Sequence, residues 1–354
     1  MMGFKFLDFP DHILCALQTS LLDTLSSDFW STGPKTTFLE ERFSDIYNLS
    51  AVSTSSGGTA LHLIRLLFPN IKKIAVQSNT YFASILPWLD SSCEILLLGS
   101  SHNLLMPDLD RVKEIIPHNP DAIILTHIGG YPNPDIAAIA DLCSRHNILL
   151  IEDCAHAPLV TIDNRKVGTF GDASILSFYP TKLIPAGEGG LLLLKDLSLA
   201  AEAKRLRNYG KYQSDNIIYH QLPASVNCRM NDFTASIVNT ILDHYDQLLE
   251  HKHFIDSLYD RFFDSYSFLK QNYSSTNVVS PSYYKYIAFV DSAEVCTSPV
   301  YDLSNQISSI LDSNNFPYTF IGNNHFTHHS CLPITFSMDV HDVNTVTASF
   351  DVNP

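Results

Sequence analysis

A serine ends an apolar run at position 177, and five residues on, after Phe-Tyr-Pro-Thr, stands Lys182. The stretch Ala186-Gly-Glu-Gly-Gly190 then leads back into another apolar run. A lysine that attacks a carbonyl must shed its charge, so it needs an anchored, partly desolvated position near cations or dipoles. The end of a buried strand offers that position, although a plain surface hairpin would read the same way. A second signal is Ile151-Glu-Asp-Cys-Ala-His-Ala157, in which an apolar run delivers Glu152 and Asp153, with His156 three residues beyond Asp153. An aspartate at a strand end can pair with the protonated ring nitrogen of a heteroaromatic ligand, and His156 can donate to an oxygen on the ring. A helix cap with a satisfied histidine fits the same letters.

Two further stretches add to these. In Thr54-Ser-Ser-Gly-Gly-Thr-Ala-Leu61, small residues open directly into a helix. The N–H groups of Gly57, Gly58 and Thr59, with neighbouring hydroxyls, can cradle a phosphate there. The spacing is neither the GxxxxGK[ST] of nucleoside triphosphatases nor the GxGxxG of dinucleotide folds, and an ordinary glycine-rich helix cap remains open. In Ser78-Asn-Thr-Tyr-Phe-Ala-Ser84, one of the two aromatics, Tyr81 and Phe82, can stack on a planar ligand, or both can pack in a core.

These residues need elements to hold them. Apolar runs predict strands at Lys73–Ser78, Glu94–Gly99, Ala122–Thr126, Ile148–Asp153, Ala173–Phe178 and Gly190–Lys195. Helical periodicity predicts Thr59–Leu67, Leu109–Ile116 and Asp135–His146 between them. Runs such as AIILTHI and ILLIEDC lack strict alternation, as expected of strands covered on both faces. Strand–helix alternation at this spacing implies right-handed crossovers and an α/β fold with a mostly parallel sheet sandwiched by helices. Ligands collect at the carboxyl ends of such strands, where the polar stretches above lie. A long helix, broken once, is expected from Asn231 to about Ser265. A small α+β unit follows, with a strand at Tyr284–Val290, a helix near Ser304–Ser313 and a His- and Asn-rich loop at 323–329. The expected division is a large domain over 1–235 and the long helix with the small domain over 236–354.

Composition narrows the classes. The chain has 354 residues and a formal net charge of −15 from 22 basic and 37 acidic residues. That field disfavours nucleic acid and anionic membranes as partners. The seven cysteines are scattered without a CxxC pair, so neither a disulfide framework nor a zinc site is expected. The histidine pair 328–329 lacks a nearby carboxylate, and no metal is expected there. The opening MMGFKFLDFPDHILCAL is acidic early and has no long apolar core, and no apolar run reaches membrane-spanning length. A cytoplasmic globular protein is the expectation.

The order of the motifs carries more than any one of them. Thr32-Gly33-Pro34, SSGGTAL, SNTYFAS, THIGGYP, IEDCAHA, VGTFGDASILSFYPTK, GEGG, RLRNYG and NCRMND follow one another between Trp30 and Ala235, roughly two thirds of the chain. Together they resemble the DegT/DnrJ/EryC1/StrS family, the sugar-nucleotide aminotransferases of the fold-type-I superfamily that uses pyridoxal 5'-phosphate. The resemblance makes Lys182 the Schiff-base lysine and Asp153 the partner of the pyridine nitrogen. His156 falls near the ring hydroxyl, and Tyr81 at the aromatic that stacks on the ring. Gly57, Gly58, Thr59 and Ser177 fall in the phosphate cup. Asn227 matches an asparagine that reaches the phosphate of the neighbouring subunit, which implies a homodimer with shared active sites; Arg229 and Asp232 would lie at or near the same interface. Two details depart from the family pattern: Gly58 stands at its threonine position with Thr59 following, and Ser225-Val226-Asn227 replaces G-x-N.

The activity implied is transfer of an amino group, with glutamate as donor, to the keto group of a nucleotide-linked keto-deoxysugar, through the pyridoxamine phosphate form of the cofactor. A keto-cyclitol acceptor is the nearest alternative. A sugar dehydratase of the same superfamily is another, but the dehydratase branch carries histidine at the lysine position, and Lys182 argues against it. A non-catalytic binding or regulatory protein on the same fold is the alternative of a different class.

Overall fold

The computed structural model describes residues 7–90, 92–101, 104–214, 217–220, 224–263, 278–290, 311–312, 317–321 and 328–347. Two helices that the sequence pattern did not announce come first, α1 (Asp11–Leu25) and α2 (Pro34–Tyr47). Pro34 suits the first turn of α2, where a missing N–H costs nothing. The remaining start is capped from far along the chain: the Asp232 carboxylate accepts from the N–H groups of Gly33, Lys35 and Thr36.

Strands and helices then alternate: β1 (Ser50–Thr54), α3 (Gly57–Leu67), β2 (Lys73–Gln77), β3 (Glu94–Leu98), α4 (Leu109–Lys113), β4 (Ala122–Thr126), α5 (Ile136–Arg145), β5 (Leu149–Asp153), β6 (Ala173–Ser177), β7 (Gly190–Leu194) and α6 (Leu197–Leu206). All six expected strands are present to within a residue at each end. β1 is an addition; its Ser-Ala-Val-Ser-Thr gives only a weak apolar signal. α4 ends at Lys113, and Ile116–His118 form a separate 3-10 turn around Pro117, so the expected single helix is divided.

The sheet runs in the order β1-β7-β6-β5-β4-β2-β3, with a further strand, Tyr318–Ile321, beside β3. β7 is antiparallel to both neighbours, because the chain returns from β6 through a loop rather than a crossover helix. All other pairings are parallel. The carboxyl ends of β1, β2, β4, β5 and β6 therefore share one edge. Alternate residues serve opposite faces: Ile95 and Leu97 pack with α3 residues such as Leu61 and Ile64, and Leu96 and Leu98 pack with α5 residues such as Ile139.

The expected broken helix appears as α7 (Asp232–Asp243) and α8 (Tyr245–Phe263), parted at His244. Beyond it come β8 (Lys285–Val290), β9 (Tyr318–Ile321), β10 (His328–Pro333) and α9 (Val340–Thr347). β8 pairs antiparallel with β10, and Tyr286 and Leu332 pack with Ile255, Tyr259 and Val343 of the flanking helices. β9 pairs instead with β3, so a strand from the expected C-terminal unit extends the large sheet. Most of the helix expected near Ser304–Ser313 and residues 323–327 of the His-rich loop lie outside the described residues.

Candidate active site

Asp153 is the last residue of β5 and is 4% exposed. Its Oδ2 accepts from Ser84 Oγ at 2.6 Å and its Oδ1 from the Ala155 N–H at 3.0 Å. Ser84 belongs to the turn after β2, and its hydroxyl also meets Thr80 Oγ1 at 3.1 Å, which meets Thr126 Oγ1 at 2.6 Å. A hydroxyl chain from the ends of β2 and β4 thus fixes the carboxylate at the end of β5. The part of Ser84, Thr80 and Thr126 depends on side chains meeting across strands, which one sequence does not display.

His156 follows in the loop. The Gly129 N–H donates to its Nδ1 at 3.4 Å, which leaves the proton of a neutral ring on Nε2 as a donor. Burial holds the imidazole well below its usual pKa, and the charges of Lys182 and Lys285 push the same way. Its ring stacks on Tyr284, with centroids 4.3 Å apart. Tyr284 lies just before β8, although the sequence pattern predicts it only as the first residue of that strand.

Lys182 lies in the turn after β6 and is partly buried; its N–H bonds the Tyr179 carbonyl at 2.9 Å. Burial lowers its pKa to about 8, against the upward pull of Asp153 and with Lys285 pushing down. A charge normally kept to pH 10 is thus lost in part near neutrality, as carbonyl chemistry requires.

The fourth component is the start of α3. Ser56 caps it in a reciprocal box: its Oγ accepts from the Thr59 N–H at 3.1 Å, and Thr59 Oγ1 accepts from the Ser56 N–H at 3.0 Å. The first-turn N–H groups of Gly57 and Gly58 take no part in that box and remain for an anion. Thr59 is accordingly occupied with the cap, while a Cβ at Gly58 would meet nothing closer than 3.7 Å. Gly57 lies against the end of β6, where an added Cβ would sit 3.1 Å from Ser177 Cβ. The return loop passes closer still: a Cβ on Gly190 would fall 2.3 Å from the Ser56 carbonyl carbon, so only glycine lets these backbones meet.

Asp153, His156, Lys182, Ser177, Gly57, Gly58 and Thr59 are therefore gathered at one edge of the sheet. Tyr81 stands after β2, 52% exposed, with its ring 4.3 Å from that of Phe82. Asn227 is exposed, and its backbone bridges to Asn208. Arg229 bonds Asn208 Oδ1 at 2.5 Å. Asp232 is 1% exposed and serves the cap of α2 within its own subunit, a role that its burial and four donors explain.

Two other features resemble sites. His127, Glu152 and Cys154 lie close enough to hold a metal. However, His127 Nδ1 accepts from the Asn133 N–H, and its Nε2 meets Glu152 Oε2 at 3.0 Å. Glu152 also accepts from the N–H groups of Gly168 and Gly171, at 2.7 and 2.6 Å. This is a satisfied structural network. A cavity of about 670 Å3, lined by Phe68, Asp121, Cys143 and Lys195 among others, gathers none of the residues named above.

The chain belongs to the DegT/DnrJ/EryC1/StrS aminotransferase family, whose model matches residues 15–350. It is 31% identical over 223 residues to the GDP-perosamine synthase of Vibrio cholerae, an alignment covering 62% of this chain and 60% of that protein. It is 37% identical over 141 residues to a putative L-glutamine:3-amino-2,3-dideoxy-scyllo-inosose aminotransferase of Micromonospora echinospora, covering 39% of this chain and 33% of that protein. The match thus spans about three fifths of the synthase's length and one third of the aminotransferase's. Among solved structures, the aminotransferase TlmJ of Streptoalloteichus hindustanus superimposes with a TM-score of 0.84 at 23% identity, covering 95% of both chains. The PMP-form of the putative sugar aminotransferase Spr1654 of Streptococcus pneumoniae gives 0.84 at 22% identity, covering 99% of this chain and 98% of that one. The fold is that of the sugar aminotransferases.

The cofactor of this family is pyridoxal phosphate. The residues present fit it. The start of α3 with Ser177 offers donors for the phosphate, Asp153 a buried carboxylate for the ring nitrogen, and Lys182 an amine with lowered pKa for the aldehyde. A side chain at Gly57 would crowd Ser177 in that cradle.

Proposed function

We propose that the protein is a pyridoxal-phosphate-dependent aminotransferase that moves an amino group from glutamate to the keto group of a nucleotide-linked keto-deoxysugar. The observation that carries this reading is the convergence of Asp153, His156, Lys182 and the capped start of α3 at one sheet edge. When bound, the cofactor supplies an electron sink for carbon–hydrogen cleavage beside the transferred nitrogen.

The chain's own residues do the rest. Gly57, Gly58 and Ser177 anchor the phosphate and fix the depth of the ring, while Thr59, first expected among the anchors, holds the cap that orients those N–H groups. Tyr81 covers one ring face. Asp153, oriented by hydrogen bonds from Ser84 Oγ and the Ala155 N–H, is the partner that keeps the ring nitrogen protonated. His156, with Nδ1 taken by the Gly129 N–H, would donate from Nε2 to the ring oxygen. Lys182 holds the aldehyde and, when released, takes up and returns a proton at Nζ, which its pKa of about 8 suits.

A keto-cyclitol acceptor is the second reading, favoured by the likeness to the scyllo-inosose aminotransferase. A panel of keto-deoxysugar nucleotides and keto-cyclitols, each offered with glutamate or glutamine, separates the two by the mass of the aminated product. Conversion of sugar nucleotides supports the first reading. Conversion of cyclitols alone replaces it, and no amination of either class overturns both.

The working unit is a homodimer in which Asn227 reaches the phosphate of the partner's site. Support comes from the exposure of Asn227 in the single subunit and from Tyr179 and Tyr209, each about half exposed. In a two-fold dimer both sites are completed together. Mixing inactive Lys182→Ala and Asn227→Asp subunits should then restore up to about half-normal activity per mixed dimer, because one site escapes both lesions. Exchange without recovery would place Asn227 in its own subunit's site.

A further inference from the structure

We infer that Lys285, brought to the site with Tyr284 by β8, is a positioning residue that disfavours the charged form of the Lys182 amine. The inference deepens the aminotransferase reading and rests on it for the role of Lys182. The carrying observation is that two lysines share one aromatic ring. Lys182 Nζ lies 4.8 Å from the centroid of Tyr284, and Lys285 Nζ lies 5.6 Å from the same centroid.

The ring itself is held in place. It stacks on His156 at 28°, and its hydroxyl meets Thr181 Oγ1 at 3.0 Å, next to Lys182. Just ahead of it, Ser282 donates from Oγ to the His156 carbonyl at 2.6 Å and from N–H to the Gly130 carbonyl at 2.9 Å. β8 is thus clamped to the loops that carry His156, and its register fixes where Lys285 emerges, opposite Pro333 of β10.

Two ammonium groups in a partly buried site disfavour each other, and the relief is loss of one proton. The groups that face this pair include Asp153 from β5, His156 from the loop after it, Tyr284 itself, Cys331 from β10 and, on the Lys285 side, the buried Lys252 from α8. Asp153 alone would hold Lys182 charged. Burial is the larger force against it and Lys285 adds to burial, with the result near pH 8. The same two lysine charges, after burial, keep His156 neutral, as a donor from Nε2 requires. A single strand from the C-terminal part therefore adds to burial in disfavouring the charged form of two groups on the large sheet.

The test uses the full chain stripped of cofactor. Competitive acetylation across a pH series, read by mass spectrometry on the peptide bearing Lys182, gives the midpoint of that amine directly. The wild-type midpoint should lie at about 8. Lys285→Gln should raise it by on the order of one unit, which cuts the free-amine fraction at pH 7 about tenfold. Lys285→Met, which keeps the aliphatic stem, should do the same, and Lys285→Arg should stay at the wild-type midpoint. An unmoved midpoint in both neutral variants overturns the inference. So does an equal shift in Lys285→Arg, which would mean packing rather than charge. The titration involves neither cofactor nor substrate, so its failure is distinct from failure of the aminotransferase reading, which shows as absent amination by the wild type.

Discussion

Glu152 and Asp153 are adjacent carboxylates on one strand, and they serve opposite ends. Side chains alternate along β5, so one turns to each face of the sheet. Glu152 is fully buried and takes two backbone N–H groups and His127, which ties the loop at Gly168–Gly171 to the sheet. Asp153 takes one backbone N–H and one hydroxyl, and its field reaches Lys182. The first acid is committed to the fold; the second keeps capacity for a ligand. The difference teaches that a buried carboxylate is read by what remains unspent around it, not by its burial.

The comparison breaks in a definite way if the roles are misassigned. Glu152→Gln places an amide among groups that all donate, and should cost roughly 2–4 kcal/mol of stability. Denaturant unfolding measures that, while turnover per folded molecule should change little. A large loss of turnover with unchanged unfolding would move Glu152 into the chemistry. Asp153→Asn should do the reverse. With its folding intact, amination should slow by about one to two orders of magnitude, or ~1.4–2.7 kcal/mol of barrier. Turnover near the wild-type rate would refute the pairing with the ring nitrogen. Ser84→Ala sharpens the contrast at smaller scale. Loss of one hydroxyl donor to Asp153 should cost about 0.5–1.5 kcal/mol, a fall of roughly two- to tenfold in kcat. An effect as large as that of Asp153→Asn would show that the hydroxyl does more than hold the carboxylate.

Much of this was legible from the chain alone. The buried strands announce themselves through runs such as AIILT and LLIED, because strands covered on both faces need no polar alternation. The strand-end residues then fall at one edge by topology. β1 was not legible, since its two serines and threonine hide a buried strand whose polar groups are satisfied by partners such as Glu40, which accepts from Ser53. α1 and α2 were missed for a related reason: the cap of α2 is Asp232, about two hundred positions away. Asp232 was placed near a subunit interface because its motif was; only the fold reveals the cap. Tyr284 and Lys285 were invisible as site residues, because nothing local in Tyr-Tyr-Lys-Tyr shows that β8 lies against the His156 loop.

The central claim is that Lys182, among the three lysines whose pKa burial lowers, is the one that holds the cofactor. Lys252 is the instructive rival. Burial lowers its pKa to about 7, further than that of Lys182, yet its Nζ donates to the Ile334 carbonyl at 2.7 Å and no carboxylate of the site acts on it. Lowered basicity alone would select the wrong lysine; the convergence of strand ends selects Lys182. Incubation with pyridoxal phosphate, reduction with borohydride and peptide mass mapping decide between them. The account predicts the cofactor mass on the peptide containing Lys182, and its loss there in Lys182→Ala. The mass on the peptide of Lys252 or Lys285, or no labelled peptide in the wild type, would contradict it.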